Sequence, residues 1–167
     1  MELLIIRHAI AAERDGRRWR DDGARPLTAL GMRRSRRAAA GLRAITEAPD
    51  RLLTSPLVRA RQTAKILTEV AGWPPAEEAA ELLPGTAPLK VLTLLANDRS
   101  KRVALVGHQP DLGALLSACL LGNRGLISVD LKKNAIACVS FPGSARAGRA
   151  VLKWLATPRM LRALRRD

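Results

Sequence analysis

Apolar residues in this 167-residue chain fall into short uninterrupted runs, separated by polar breaks marked with proline and glycine. Residues 2–7, centred on Leu3-Leu4-Ile5-Ile6, predict a short, fully buried strand, because the run is brief and does not alternate. Residues 9–27 are rich in Arg and Asp and predict a surface loop. Pro26-Leu27-Thr28 then introduces a helix with Thr28 at its N-cap. Leu30, Ala38, Leu42 and Ile45 are its expected apolar stripe, with Arg33, Arg34, Arg36 and Arg37 mostly on the solvated side.

Pro49-Asp50 breaks this helix, and Arg51-Leu52-Leu53-Thr54 reads as a second strand ended by Ser55-Pro56. A helix is expected from about Leu57 to Val70, with Ala60, Ala64, Ile66, Leu67 and Val70 inside and Gly72-Trp73-Pro74-Pro75 closing it. Residues 77–83 are ambiguous and include a possible short edge strand. A short helix over 88–96 precedes a third clear strand at 102–106, and 110–121 is helical until Gly122-Asn123-Arg124-Gly125. Two strands, 135–141 and 149–155, flank the Pro142-Gly143-Ser144 turn. The alternation of strand and helix predicts an α/β fold: a three-layer α/β/α sandwich, its largely parallel sheet carrying an antiparallel edge. A single domain over 1–167 is expected, its basic tail (about 157–167) solvated or loosely docked as a short amphipathic helix.

Composition narrows the partners without choosing one. The formal charge is +14, carried almost wholly by Arg, which raises the prior for anionic ligands. With one Phe and no Tyr, the chain lacks the interleaved aromatics of a nucleic-acid stacking surface. Apolar runs fall short of the roughly 20 residues of a membrane span. The N-terminus shows no secretory signal pattern, so a cytoplasmic location is expected. Cys119 and Cys138 fit no metal spacing and are expected to be buried free thiols.

The chemistry concentrates at strand ends. Arg7-His8 follows the first apolar run, and the only other histidine, His108, follows Val103-Ala104-Leu105-Val106-Gly107. In open α/β sheets ligands bind beyond the carboxyl ends of parallel strands. An imidazole there can attack phosphorus while a neighbouring guanidinium holds the phosphoryl oxygens. The second strand adds Arg59 in the first turn of the following helix. A cation is unfavourable at that end unless an anion shares the site. Arg61 diverges from Arg59 by about 200° around the helix, so only one of them should enter the site.

These residues carry a family resemblance. Arg7-His8-Ala9, Ser55-Pro56-Leu57-x-Arg59-Ala60-x-Gln62-Thr63-Ala64 and Gly107-His108-x-Pro110 resemble the three signatures of the histidine phosphatase superfamily, whose fold is phosphoglycerate mutase-like. Arg25-Pro26-Leu27-Thr28-x-x-Gly31, Asn134-Ala135-Ile136-Ala137 and the short length resemble its compact SixA-type phosphohistidine phosphatases. The resemblance implies that His8 is the nucleophile, that Arg7 and Arg59 bind the phosphoryl oxygens, and that His108 is a further donor. It implies no metal and no cofactor. Glu81 matches the family's acidic proton donor by order along the chain, with Glu77 and Glu78 as competitors. Ala9 stands where many members have Gly, which asks that the backbone there not need positive φ.

The expected activity is hydrolysis of phosphohistidine on a protein, such as a phosphotransfer domain or a phosphocarrier protein, through a phosphohistidine intermediate on His8. The alternatives are a small-molecule phosphomonoesterase using Glu81 as acid and, in another class, a nucleic-acid or polyphosphate binding protein with a vestigial pocket.

Overall fold

The computed structural model describes residues 1–122 and 127–164. Six strands form one sheet in the order β3-β2-β4-β1-β5-β6. These are β1 (Glu2–Arg7), β2 (Arg51–Thr54), β3 (Ala76–Glu78), β4 (Arg102–Gly107), β5 (Ile136–Ser140) and β6 (Val151–Ala156). The pairs β1–β4, β2–β4 and β2–β3 are parallel, whereas β5 runs antiparallel to both β1 and β6. The expected largely parallel sheet with an antiparallel hairpin at its edge is therefore present. The ambiguous segment resolves into the edge strand β3 followed by a 3₁₀ turn, Ala80–Leu82.

Strand alternation sorts the core into two layers. Leu3 and Ile5 pack with α3 (Pro88–Ala96) and α4 (Asp111–Leu121) through Leu92, Leu95, Leu115 and Leu116. Leu4 and Ile6 face the other way, toward α1 (Ala29–Leu42), α2 (Val58–Ile66) and α5 (Pro158–Ala163). Helices on both faces explain why β1 needs no polar face. A π turn, Leu67–Ala71, extends α2 until Gly72 enters the left-handed region at φ 74°. Cys119 and Cys138 are buried free thiols, and no helix among the described residues is long and apolar enough to cross a membrane. The glycine-rich stop after α4 is described only at Gly122; residues 123–126 lie outside the described residues.

Two local expectations need correction. The buried stripe of α1 is Gly31, Ser35, Ala38, Ala39 and Leu42, while Leu30 and Ile45 are exposed. The helix packs so closely that its inner face takes small residues, and Leu30 lies about 100° away from Gly31 around the axis. The tail is also docked rather than loose as far as Leu164; residues 165–167 lie outside the described residues. The Thr157 side chain caps α5, and Leu161 is completely buried in the layer that holds α1. Burying one Leu stabilises by about 1.5–3 kcal/mol, which a helix too short to stand alone requires.

The approach of α1 to the loop after β1 is the tightest in the layer. The Ile10 carbonyl accepts from the Thr28 backbone N–H at 3.0 Å, and the Thr28 hydroxyl caps Gly31 N at 2.9 Å. A Cβ on Gly31 would lie 2.0 Å from that same carbonyl oxygen. Gly31→Ala should therefore destabilise the protein by about 3 kcal/mol, at the upper end for overpacking, because backbone must move. Urea denaturation checks this, and a midpoint within error of the parent would refute the close approach.

Candidate active site

Three parallel strands deliver the site to one sheet edge. Arg7 pairs with Gly107 at the last rung of β1–β4, and Thr54 pairs with Val106 on β2–β4. His8, Ser55 and His108 thus leave the sheet side by side. The His8 backbone N–H donates to the Gly107 carbonyl at 3.0 Å, and that of Ser55 donates to Val106 at 2.9 Å. The two imidazoles lie 5.1 Å apart between centroids, tilted by 51°.

The His8 ring is fixed by its own loop. Its Nδ1 lies 2.7 Å from the Ala9 carbonyl oxygen, which can only accept, so Nδ1 carries the proton and Nε2 presents a lone pair. Ala9 N–H donates to Thr63 Oγ1 at 3.0 Å, and that hydroxyl donates to the Arg59 carbonyl at 2.7 Å. The histidine loop is thereby latched to the first turns of α2. Ala9 is buried without positive φ; among the described non-glycine residues only Asn134 has one, at 71°. The methyl group at position 9 is accommodated.

Arg59 is 3% exposed, whereas Arg61 is exposed and paired with Glu78 at 3.2 Å. The helix divides them as its geometry requires. Arg59 Nη1 donates to the Asp22 carbonyl at 2.8 Å, and its Nη2 lies 3.1 Å from the Asp22 carboxylate. Arg7 Nη1 donates to the Leu131 carbonyl at 2.6 Å. His108 Nε2 and Ser55 Oγ share a hydrogen bond of 2.8 Å. Among the described residues, Arg7 Nε, Arg59 Nε and His108 Nδ1 are buried polar atoms without partners. Buried nitrogens left unsatisfied at one edge fit a tetrahedral oxyanion.

Asp22 escapes a reading of the sequence, and Arg25 shows there only as part of a family element without a role in the site. Asp22 and Arg25 sit in the Asp- and Arg-rich loop, whose 3₁₀ turn, Asp22–Ala24, returns to α2. Asp22 gathers Arg14, Arg25 and Arg59 around one carboxylate. The loop's polarity marks it as surface, and no local signal reports that it folds back.

Glu81 lies elsewhere in the site. It lines a cleft of about 10 Å³ together with His108 and Asp111, room for about one water. Its competitors are engaged on the surface, Glu77 with Arg51 at 2.6 Å and Glu78 with Arg61. Asp111, in the first turn of α4, is a second carboxylate of this cleft that the sequence did not single out. Among the described residues, no three His, Cys, Asp or Glu side chains converge as metal ligands.

Burial, and after it the neighbouring cations, holds both histidines neutral. For His8 burial outweighs the Ala9 hydrogen bond, and with the charges of His108, Arg59 and Arg7 it lowers the pKa to about 3. For His108 burial leads again, followed by Arg59, with Asp22 opposing, and the pKa falls to about 4. His108 as an imidazolium therefore needs an arriving dianion, which acts in the opposite sense.

The unfolded chain takes up these protons below about pH 6.5, so it binds more of them than the fold does. Stability should then fall with pH from about 6.5 downward, by up to about 1.4 kcal/mol per pH unit per histidine. Denaturant midpoints between about pH 6.5 and 5, above the carboxylate range, should show this slope. His108→Gln should remove about half of it. An unaltered slope in that variant would show that acid sensitivity has another origin.

Comparison with known proteins follows the same lines. The sequence profile of the histidine phosphatase superfamily (branch 1) matches residues 3–83. The chain is 38% identical over 139 residues to an uncharacterised protein of Picosynechococcus, covering 81% of this chain and 82% of that one. It is 30% identical over 165 residues to the phosphohistidine phosphatase SixA of Escherichia coli, covering 95% and 94%. The solved structure of the protein histidine phosphatase SixA complexed with tungstate matches with a TM-score of 0.80 at 28% identity, covering 95% of this chain and 98% of that one. With 30% identity over nearly the whole of both chains and a shared fold, the chain belongs to the histidine phosphatase superfamily and is of the SixA type.

Proposed function

We propose that the protein hydrolyses phosphohistidine on a protein partner, such as a phosphotransfer domain or phosphocarrier protein, through a covalent intermediate on His8. One observation carries the reading: a neutral imidazole, its Nδ1 proton pinned on Ala9, stands among buried, partnerless nitrogens of Arg7, Arg59 and His108. The similarity to SixA, a phosphohistidine phosphatase by name, supports the substrate.

In the first step His8 Nε2 forms a bond to phosphorus while the substrate's N–P bond breaks. The bonding pair leaves with the substrate imidazole, which departs neutral if its other nitrogen holds a proton. Arg7 and Arg59 bind the equatorial oxygens where the transition-state charge lies, and His108 donates to the same group. Water then attacks phosphorus, the pair returns to Nε2, and phosphate leaves with the protons of that water. The chain's own cations supply the charge neutralisation.

The small-molecule reading has one feature in its favour, the Glu81–Asp111 cleft beside His108. An alkoxide leaving group needs a proton where an imidazole does not. Glu81→Gln should therefore lower turnover of a sugar phosphate far more than turnover of phosphohistidine. Small and equal effects on both would remove Glu81 from the mechanism.

Phosphate release from a phosphorylated phosphocarrier protein, set against sugar phosphates and p-nitrophenyl phosphate, tests the main reading. His8→Ala should lose on the order of 10³-fold or more in kcat/KM, and Arg59→Lys roughly 10²-fold because a bidentate contact is lost. A brief incubation of the parent should trap an acid-labile, alkali-stable phosphoenzyme. Activity surviving in His8→Ala would sink the mechanism, and rapid turnover of one sugar phosphate with none of phosphohistidine would sink the substrate.

A further inference from the structure

Beside the phosphoryl pocket, and sharing Arg7 with it, lies an open groove of about 510 Å³ between α1, the 130–134 loop and α5. Its walls carry six cations, Arg7, Arg34, Lys132, Lys133, Arg159 and Arg162, against one carboxylate, Asp130. That carboxylate is already engaged, with Lys132 and, at 3.7 Å, with Arg7. Arg34, Lys133, Arg159 and Arg162 make no ion pair with any described residue. Elsewhere on the surface some arginines are paired, as in Arg36–Glu69, Arg51–Glu77 and Arg102–Glu2, and others, such as Arg33, Arg37 and Arg99, are not. The groove is set apart by its shape and place: six cations and a single, already engaged carboxylate share one concave wall beside the phosphoryl pocket.

We infer that this groove is the docking surface for the acidic segment that flanks the phosphorylated residue on the protein partner, an inference that rests on the phosphohistidine reading. The arrangement of the cations selects the occupant. A second phosphate would call for convergent, buried donors like those around Arg59. Here Arg34, Lys132, Lys133 and Arg159 are exposed and belong to three separate elements. Dispersed charges on an open wall match dispersed carboxylates along a chain. Arg7 spans both sites: its Nη1 is tied to the Leu131 carbonyl at the groove's rim while its buried Nε lacks a partner. A segment seated in the groove therefore presents its phosphorylated side chain next to His8. The docked tail has a purpose in this arrangement. Leu161 anchors α5 on one side while Arg159 and Arg162, three residues apart, line the groove on the other.

Two double variants with the same charge change test this. Arg34→Glu/Arg159→Glu alters the groove, while Arg33→Glu/Arg37→Glu alters exposed residues of α1 outside it. The first readout is anisotropy of a fluorescein-labelled hexaglutamate peptide. It should bind the parent with an affinity that falls as salt is added, weaken about tenfold or more in the groove variant, and change little in the other. The second is hydrolysis of phosphohistidine peptides flanked by three glutamates, serines or lysines. For the parent kcat/KM should fall in that order, and the groove variant should flatten or invert it through KM, with turnover of p-nitrophenyl phosphate as the reference.

Equal weakening in both double variants, or no preference for the glutamate peptide, would overturn the groove. Tighter, groove-dependent binding of a labelled DNA oligonucleotide than of the peptide would overturn the acidic protein as its occupant. Groove-dependent hexaglutamate binding with no hydrolysis of any phosphohistidine peptide would uphold the groove and refute the phosphohistidine reading instead.

Discussion

Because Arg7 meets Gly107 at the last rung of the β1–β4 ladder, His8 and His108 leave the sheet at one height and on neighbouring strands. The parallel pairing of β2 on the far side of β4 places Ser55 at the same level, within hydrogen-bond reach of His108. A slip of one residue would move the imidazoles apart and also exchange Leu3 and Ile5 with Leu4 and Ile6 across the sheet. Those side chains are all essentially buried, on opposite faces. The energetics of the core and the geometry of the site are thus fixed by one register, and neither can vary alone.

That coupling has an electrostatic consequence. Guanidiniums buried beside two imidazoles are costly unless something satisfies them. The fold answers partially, with the carbonyls of Leu131 and Asp22 and the Asp22 carboxylate, and it keeps both imidazoles neutral. The nitrogens that stay unsatisfied lie where an oxyanion can take them, and exclusion of water strengthens each such contact. The same burial that makes His8 a poor base at low pH leaves its lone pair free at neutral pH. Desolvation therefore costs stability and supplies nucleophilicity through one residue.

What the sequence revealed follows the range of the interactions. Strand ends, caps and helix phase are local, and Arg7, His8, Arg59 and His108 could be placed at one edge from apolar runs, turn residues and the 3.6-residue period. The Arg59–Arg61 divergence is pure helix geometry. Leu30 and Ile45 mislead because hydrophobicity carries no signal of close approach: Gly31 and Ser35 look like poor core residues until Ile10 is seen against the first and Asn134 bonded to the second. Asp22 is hidden because its contact to α2, through Arg59, spans tens of residues through a polar loop. Asp111 carries no signal of its own, since an acidic residue in the first turn of a helix is common. The docking of α5 has no local signal, because its buried anchor, Leu161, gains its value only from a layer formed by distant segments.

Charge shows the same limit most sharply. A formal +14 says only that anions are welcome, and it would be satisfied by a uniformly basic surface. The fold distributes it unevenly. Acidic residues neutralise arginines on the sheet edge and along α2, and Asp22 tempers the cations on one side of the phosphoryl pocket. On the other side Arg34, Lys133, Arg159 and Arg162 line the groove with no ion pair to any described residue. Since exposed charges farther apart than about 10 Å are largely screened at ordinary salt, net charge in itself cannot guide a partner to His8. A cationic groove that ends at Arg7 can, because Arg7 is the one cation common to the groove and the phosphoryl pocket.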